Sequence, residues 1–145
     1  MPDFRLGGRP LADHPVVTDF HEKRRLLYGK GLEGARAAAA SAFLAKGRLA
    51  EALEFLERTK DENSLNRVRS EAVRAGDAIS LARACQILRV EPTPAEWREL
   101  AQNAERAERW FDAVNALEKA GDLEKSEALR VARCPDFKLF RPAGK

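Results

Sequence analysis

The side chains best suited to chemistry gather near the N-terminus, where Asp13, His14, Asp19, His21 and Glu22 offer donors a metal ion can use. The two histidines lie seven residues apart, a separation that matches neither a helical turn nor zinc-ligand spacing. Polar residues around a helix cap explain the cluster better. The two cysteines, Cys85 and Cys134, have no CxxC or histidine-rich neighbourhood and form no disulfide framework. Cys85 falls in an apolar helical stripe and is expected to be a small buried hydrophobe, whereas Cys134, just before Pro135, is expected at the surface. No nucleophile elbow, phosphate-cradling glycine loop, HExxH motif or carboxylate pair stands out, and Gly7-Gly8 is too sparse to hold a phosphate. The sequence therefore points away from an enzyme, and no cofactor is expected. Lys23, Arg24 and Arg25, with Tyr28 and the basic C-terminal residues, are suited to phosphate contact, but a solvated charged face is the simpler reading.

The elements that position these residues are helical. The chain has 145 residues, 44% hydrophobic and 34% charged, which suits a folded domain with a substantial core. Residues 1–31 carry six Lys/Arg against four Asp/Glu, residues 130–145 five against one, and the body between them fifteen against eighteen. Basic character thus sits at the ends and not along a folded face, which weighs against nucleic acid as the main partner. No apolar run approaches the roughly 20 residues of a membrane helix. The opening MPDFRLGGRP lacks the apolar core of a secretion signal, so a cytoplasmic location with no membrane partner is expected.

Pro2, Gly7, Gly8, Pro10 and Pro15 predict an extended arm, followed by a short helix over Phe20 to Tyr28 with Asp19 and Glu22 as a capping box and Phe20 and Leu27 on one face. An alanine-rich helix over Leu32 to Lys46, with Ala35, Ala38, Ala39, Ala42 and Phe43 inward, is broken by Gly47. Leu49 to Thr59 follows, with Leu49, Ala52, Leu53 and Leu56 at helical spacing. Ser64 is expected to cap a helix ending near Ala75, with Leu65, Val68, Ala72 and Val73 inward. After Gly76-Asp77, Ile79, Ala82, Cys85 or Gln86 and Leu88 mark the next helix. Thr93-Pro94, with Glu96, predicts a capped start for a helix burying Trp97, Leu100, Ala101 and Ala104. A helix from Trp110 is expected to bury Ala113, Leu117 and Ala120. Asp122 would cap a last one carrying Leu123, Ala128, Leu129 and Ala132.

The hairpins resemble one another. KGRLAEALEFLER and AERWFDAVNALEK superpose residue for residue at a separation of 61, leaving room for one intervening copy that turns at Gly76. Phe43 precedes Ala52 by nine residues, as Ala104 precedes Ala113, and the middle copy is expected to be displaced by one residue in its second helix. Trp97, Leu100, Ala101 and Ala104, followed by Ala113, Leu117 and Ala120, resemble the tetratricopeptide repeat, W-x2-L-G-x2-Y followed by A-x3-F, over roughly 34 residues. Arg36 stands where the tryptophan belongs in the first copy, and Lys125 replaces the closing proline of the last.

The resemblance implies an all-α fold: antiparallel helical hairpins stacked as a short tetratricopeptide-like solenoid, with extended N- and C-terminal tails. The expected organisation is an arm and short helix over 1–31, about three hairpins plus a capping helix over 32–133, and a basic tail over 134–145. It also implies a protein–protein interaction module, an adaptor or assembly subunit, that holds a partner peptide or helix against the first helix of each hairpin. The corresponding positions are Ala37, Ser41 and Leu44, then Asn66, Ser70 and Arg74, then Arg98 and Gln102. The carboxylate clamp of some family members is not expected, because Ala37 and Ser41 stand where it needs Lys and Asn. A nucleic-acid or ribonucleoprotein accessory using the basic termini is the alternative. The termini also share a pattern, Pro2-Asp3-Phe4-Arg5-Leu6 and Pro135-Asp136-Phe137-Lys138-Leu139, suited to tails that pack on the body, on each other or on a neighbouring copy. Open solenoid ends are a second route to self-association.

Overall fold

The computed structural model describes residues 20–136, and within them the chain is all helical. Eight helices follow in order: α1 Phe20–Tyr28, α2 Glu33–Ala45, α3 Leu49–Thr59, α4 Glu62–Ala75, α5 Ala78–Leu88, α6 Pro94–Arg106, α7 Trp110–Lys119 and α8 Leu123–Arg133. The arm, the Asp19 cap and both PDF-type tails lie wholly or partly outside the described residues.

One corner geometry recurs between helices. Gly47, Gly76, Glu108 and Gly121 all take the left-handed conformation, with φ of 70°, 71°, 57° and 88°. The amide of the following residue then reaches back five residues to a helix carbonyl: Arg48 to Phe43 at 2.9 Å, Asp77 to Ala72 at 2.9 Å, Arg109 to Ala104 at 2.8 Å and Asp122 to Leu117 at 2.9 Å. This is the Schellman closure, which satisfies carbonyls a helix end would otherwise leave open. The residue four before each corner and the residue five after it are buried together: Phe43 and Ala52, Ala72 and Leu81, Ala104 and Ala113, Leu117 and Ser126.

The middle copy is therefore in register, not displaced by one. Ala78, Ser80, Leu81, Ala84 and Cys85 face inward, and Ile79 is 75% exposed. The corner sets the rotation of α5, and Asp77 locks it by accepting from the Ser80 amide at 3.0 Å and hydroxyl at 2.6 Å. Apolar spacing alone could not reveal that constraint. Similar revisions apply elsewhere. Leu26, not Leu27, is the buried residue of α1, and the α2 seam is Ala40, Phe43 and Leu44. Asp61, not Ser64, caps α4, accepting from the Ser64 amide at 3.2 Å. In α8, Ser126 is buried while Leu123, Ala128 and Ala132 are exposed. Asp122 makes no side-chain cap there. Cys134 is buried, as is Cys85.

The framework divides into two compact units, Met1–Glu71 with Arg83–Val90, and Ala72–Ala82 with Glu91–Lys145. In the first, α2 and α3 pack through Phe43 stacked on Phe55, centroids 5.6 Å apart and planes at 19°. Burying each ring contributes ~1.5–3 kcal/mol, and the ring pair ~0.5–1.5 kcal/mol more. The helix α1 is fastened to α3 by Lys23–Glu54 at 2.8 Å and by the Arg58 guanidinium 4.6 Å over Tyr28. Arg36, where a repeat tryptophan was expected, donates to the carbonyls of Leu26 (2.6 Å) and Gly29, and so closes the C-terminus of α1.

In the second unit α6 packs on α7 and α7 on α8 around Trp97, Leu100, Ala101, Ala104, Ala113, Val114, Ala116 and Leu117. Ser126 spends its hydroxyl on the Val114 carbonyl at 2.9 Å, so a buried polar group is satisfied. Trp110 is half-buried under the Arg133 guanidinium, 4.7 Å from its ring. The Thr93–Glu96 capping box with Pro94 forms as expected. Gly76 sits tightest: a Cβ there would lie 2.5 Å from Ala104 Cα and 2.6 Å from its nitrogen. Gly121 has open space. Gly121→Ala should cost only the left-handed strain, about 1–2 kcal/mol. Gly76→Ala adds an overpacking term of about 1–3 kcal/mol, so urea unfolding should rank it clearly as the worse variant.

Candidate interaction surface

The first helices of the hairpins turn small or polar side chains outward. On α2 that face holds Ala37 and Ser41, one turn apart and exposed, while Leu44 belongs to the core at 6% exposure. On α4, Asn66 and Ser70 are exposed and line a shallow depression of about 260 Å³ with Asn63, Arg67 and Glu71. Arg74 is exposed one turn further along α4. On α6, Arg98 and Gln102 are exposed one turn apart, and Arg98 Nε lies 3.6 Å from an Asp122 carboxylate oxygen. These amide, hydroxyl and guanidinium groups can hydrogen-bond a peptide backbone or an acidic side chain. They form no nucleophile–base pair.

The groups that hold these helices in place come from the corners. Arg48 Nε donates to Glu51 at 3.0 Å, and at the equivalent places Arg109 Nε donates to Asp112 at 3.0 Å. The other Asp112 oxygen accepts from the Ala78 amide at 3.1 Å, so a carboxylate on α7 caps α5 from 34 residues away. Arg109 also comes within 3.8 Å of Asp77. Asp77 and Asp112 thus meet at the N-terminus of α5, but their oxygens are taken up by backbone amides and a guanidinium. They serve as caps and not as an acid–base pair. Nearby, Asn103 Nδ2 donates to the Val73 carbonyl at 2.8 Å, satisfying the end of α4 from α6. The Arg-x-x-acid spacing at 48/51 and 109/112 is visible in the superposed strings; the partners of Asn103 and Asp112 across hairpins are not.

Two carboxyls stand out electrostatically. Partial burial pushes Glu51 up, but the Arg48 hydrogen bond, its own backbone amide and the charges of Arg48 and Lys23 outweigh that and hold it below the ordinary value of 4.5. Asp61 is held below 3.8 by the Ser64 hydroxyl and amide. Among the described residues no group of His, Cys, Asp or Glu is placed to hold a metal ion, and Asp13, His14 and Asp19 fall outside them. No helix among them is long and apolar enough to cross a membrane.

Compared with known proteins, the chain matches no family model, no curated protein and no solved structure.

Because folding lowers both carboxyl values, the stability they add is complete above the unfolded values and is lost as pH falls through and below them. The Glu51→Gln, Asp61→Asn double variant should therefore lose less melting temperature than the wild type between about pH 6 and about pH 3. Scanning calorimetry at both values checks this.

Proposed function

We propose that the chain is a tetratricopeptide-like interaction module that holds an extended peptide or a helix of a partner protein against the outward faces of its first helices. One observation carries the reading: the left-handed corners at 47, 76 and 108 recur 29 and 32 residues apart. Each has the same backbone closure and the same buried offsets. Hairpins of like internal geometry turn the corresponding face of each first helix outward, and a repeated face suits a long, narrow partner. The exposed pairs Ala37 and Ser41, Asn66 and Ser70, and Arg98 and Gln102 supply the contact, with Arg74 and Arg98 orienting acidic groups. Leu44 contributes from beneath, as packing. Within this proposal the module works without a cofactor and away from membranes.

Photo-crosslinking amino acids at Ser70 and Gln102 should capture one and the same partner, and the same label at Ile79 should not. Binding of that purified partner should change little with salt. A nucleic-acid accessory behaves otherwise, losing about 10³-fold or more between about 50 and 200 mM salt when six or more phosphates are contacted. Steep salt dependence, or capture from Ile79 as readily as from Ser70, counts against the module.

A further inference from the structure

The first and last described helices both leave apolar surface in water. On α1, Phe20 is 69% and Tyr28 64% exposed, and with Lys23, Arg24, Leu27 and Glu54 they line an open depression. On α8, Leu123 is 51% and Val131 59% exposed, and they line another with Glu124, Glu127, Ala128 and Ala132. Helical arrays stay soluble when their outermost helices turn polar faces outward. Neither of these does, and both carry side chains that gain by leaving water.

Charge says what covers them. The α1 depression is lined by two cations and one carboxylate, and Lys23 is already joined to that carboxylate of Glu54 at 2.8 Å, so Arg24 sets its sign. The α8 depression is lined by two carboxylates and no cation, with Glu127 held by Arg130 and Glu124 at its rim. Either face laid on its own copy brings like charges into one seam. The α1 face laid on an α8 face brings Arg24 to Glu124, and Phe20 and Tyr28 to Leu123 and Val131, with Ala128 and Ala132 small enough for close approach. We propose that the protein self-associates head to tail, the α1 face of one copy seated on the α8 face of the next. Such a contact is heterologous: each copy offers one α1 face and one α8 face, and copies join through unlike surfaces. A seam between two short helices is at the small end of specific interfaces, so association is weak and salt-sensitive.

Sedimentation equilibrium of the full chain, up to hundreds of micromolar, should give an average mass that climbs with concentration above one chain mass and falls back in high salt. Phe20→Asp and Val131→Asp should each be monomeric alone, with unchanged circular dichroism and melting, since both side chains are exposed. Mixed in equal amounts they should form a 1:1 dimer that grows no further, because one variant keeps its α8 face and the other its α1 face. A chain that stays monomeric at every concentration overturns the proposal. So does loss of association with Val131→Asp alone while Phe20→Asp is neutral, which marks an α8–α8 contact. Association that appears only after Phe137, Leu139 and Phe140 are replaced by Ser identifies the chain's own C-terminal residues as the occupant of α8 and equally overturns it.

Discussion

The fold depends on backbone approach at the corners. A left-handed residue lets one helix end and the next begin within two or three residues. That closure buries one residue from each helix side by side, and at every corner at least one of the two is small. At Gly76 the approach is closest, with the Ala104 backbone where a Cβ would be. Ala52 beside Phe43, Ala72 beside Leu81, Ala104 with Ala113 and Ser126 beside Leu117 are the small members of these pairs, all essentially inaccessible to solvent. Alanine there loses no side-chain entropy and admits the neighbouring helix, so the abundance of alanine follows from geometry. Glu108 meets the same backbone demand without being glycine. It does so at a position that is exposed, where its side chain has room.

Around these contacts the stabilising terms differ in size. Exposed pairs such as Arg83–Glu57 at 2.9 Å contribute ~0–1 kcal/mol each, whereas a buried ring such as Phe43 or Phe55 contributes several times that. Buried hydrogen bonds matter most where their loss strands a carbonyl. Arg36 on the end of α1 and Asn103 on the end of α4 satisfy helix-end carbonyls, and Ser126 satisfies its own buried hydroxyl on Val114. The apolar seams and these few polar ties hold the helices together.

Much of this was legible in the chain. Helix positions were set by glycine, proline and capping residues at their ends, so their boundaries moved little; Thr93, Pro94 and Glu96 are the clearest case. The cores of α3, α4 and α6 followed from apolar spacing. The α5 and α8 faces did not, because their rotation is inherited from a corner and from partners distant in sequence. Ile79 and Leu123 look like core residues by hydrophobicity, yet the corner turns them to solvent, and Ser80 and Ser126 take the inward places with their hydroxyls satisfied. Cys134 was misjudged for a related reason: proximity to a proline near the chain end says nothing of whether a helix terminus folds back over it.

Of the positions that the tetratricopeptide resemblance nominates, Asn66, Ser70, Arg98 and Gln102 are exposed, whereas Leu44 lies in the core, because a single turn separates core from face. Sequence alone determined that the body is helical, where it turns and which positions must be small, since these are local demands on φ, periodicity and volume. Tertiary structure decided which face of each helix is buried and which distant side chain closes each helix end. It also decided that Phe20 and Tyr28 of α1 and Leu123 and Val131 of α8 are exposed. These outcomes depend on contacts between segments far apart in the chain, and no local preference encodes them.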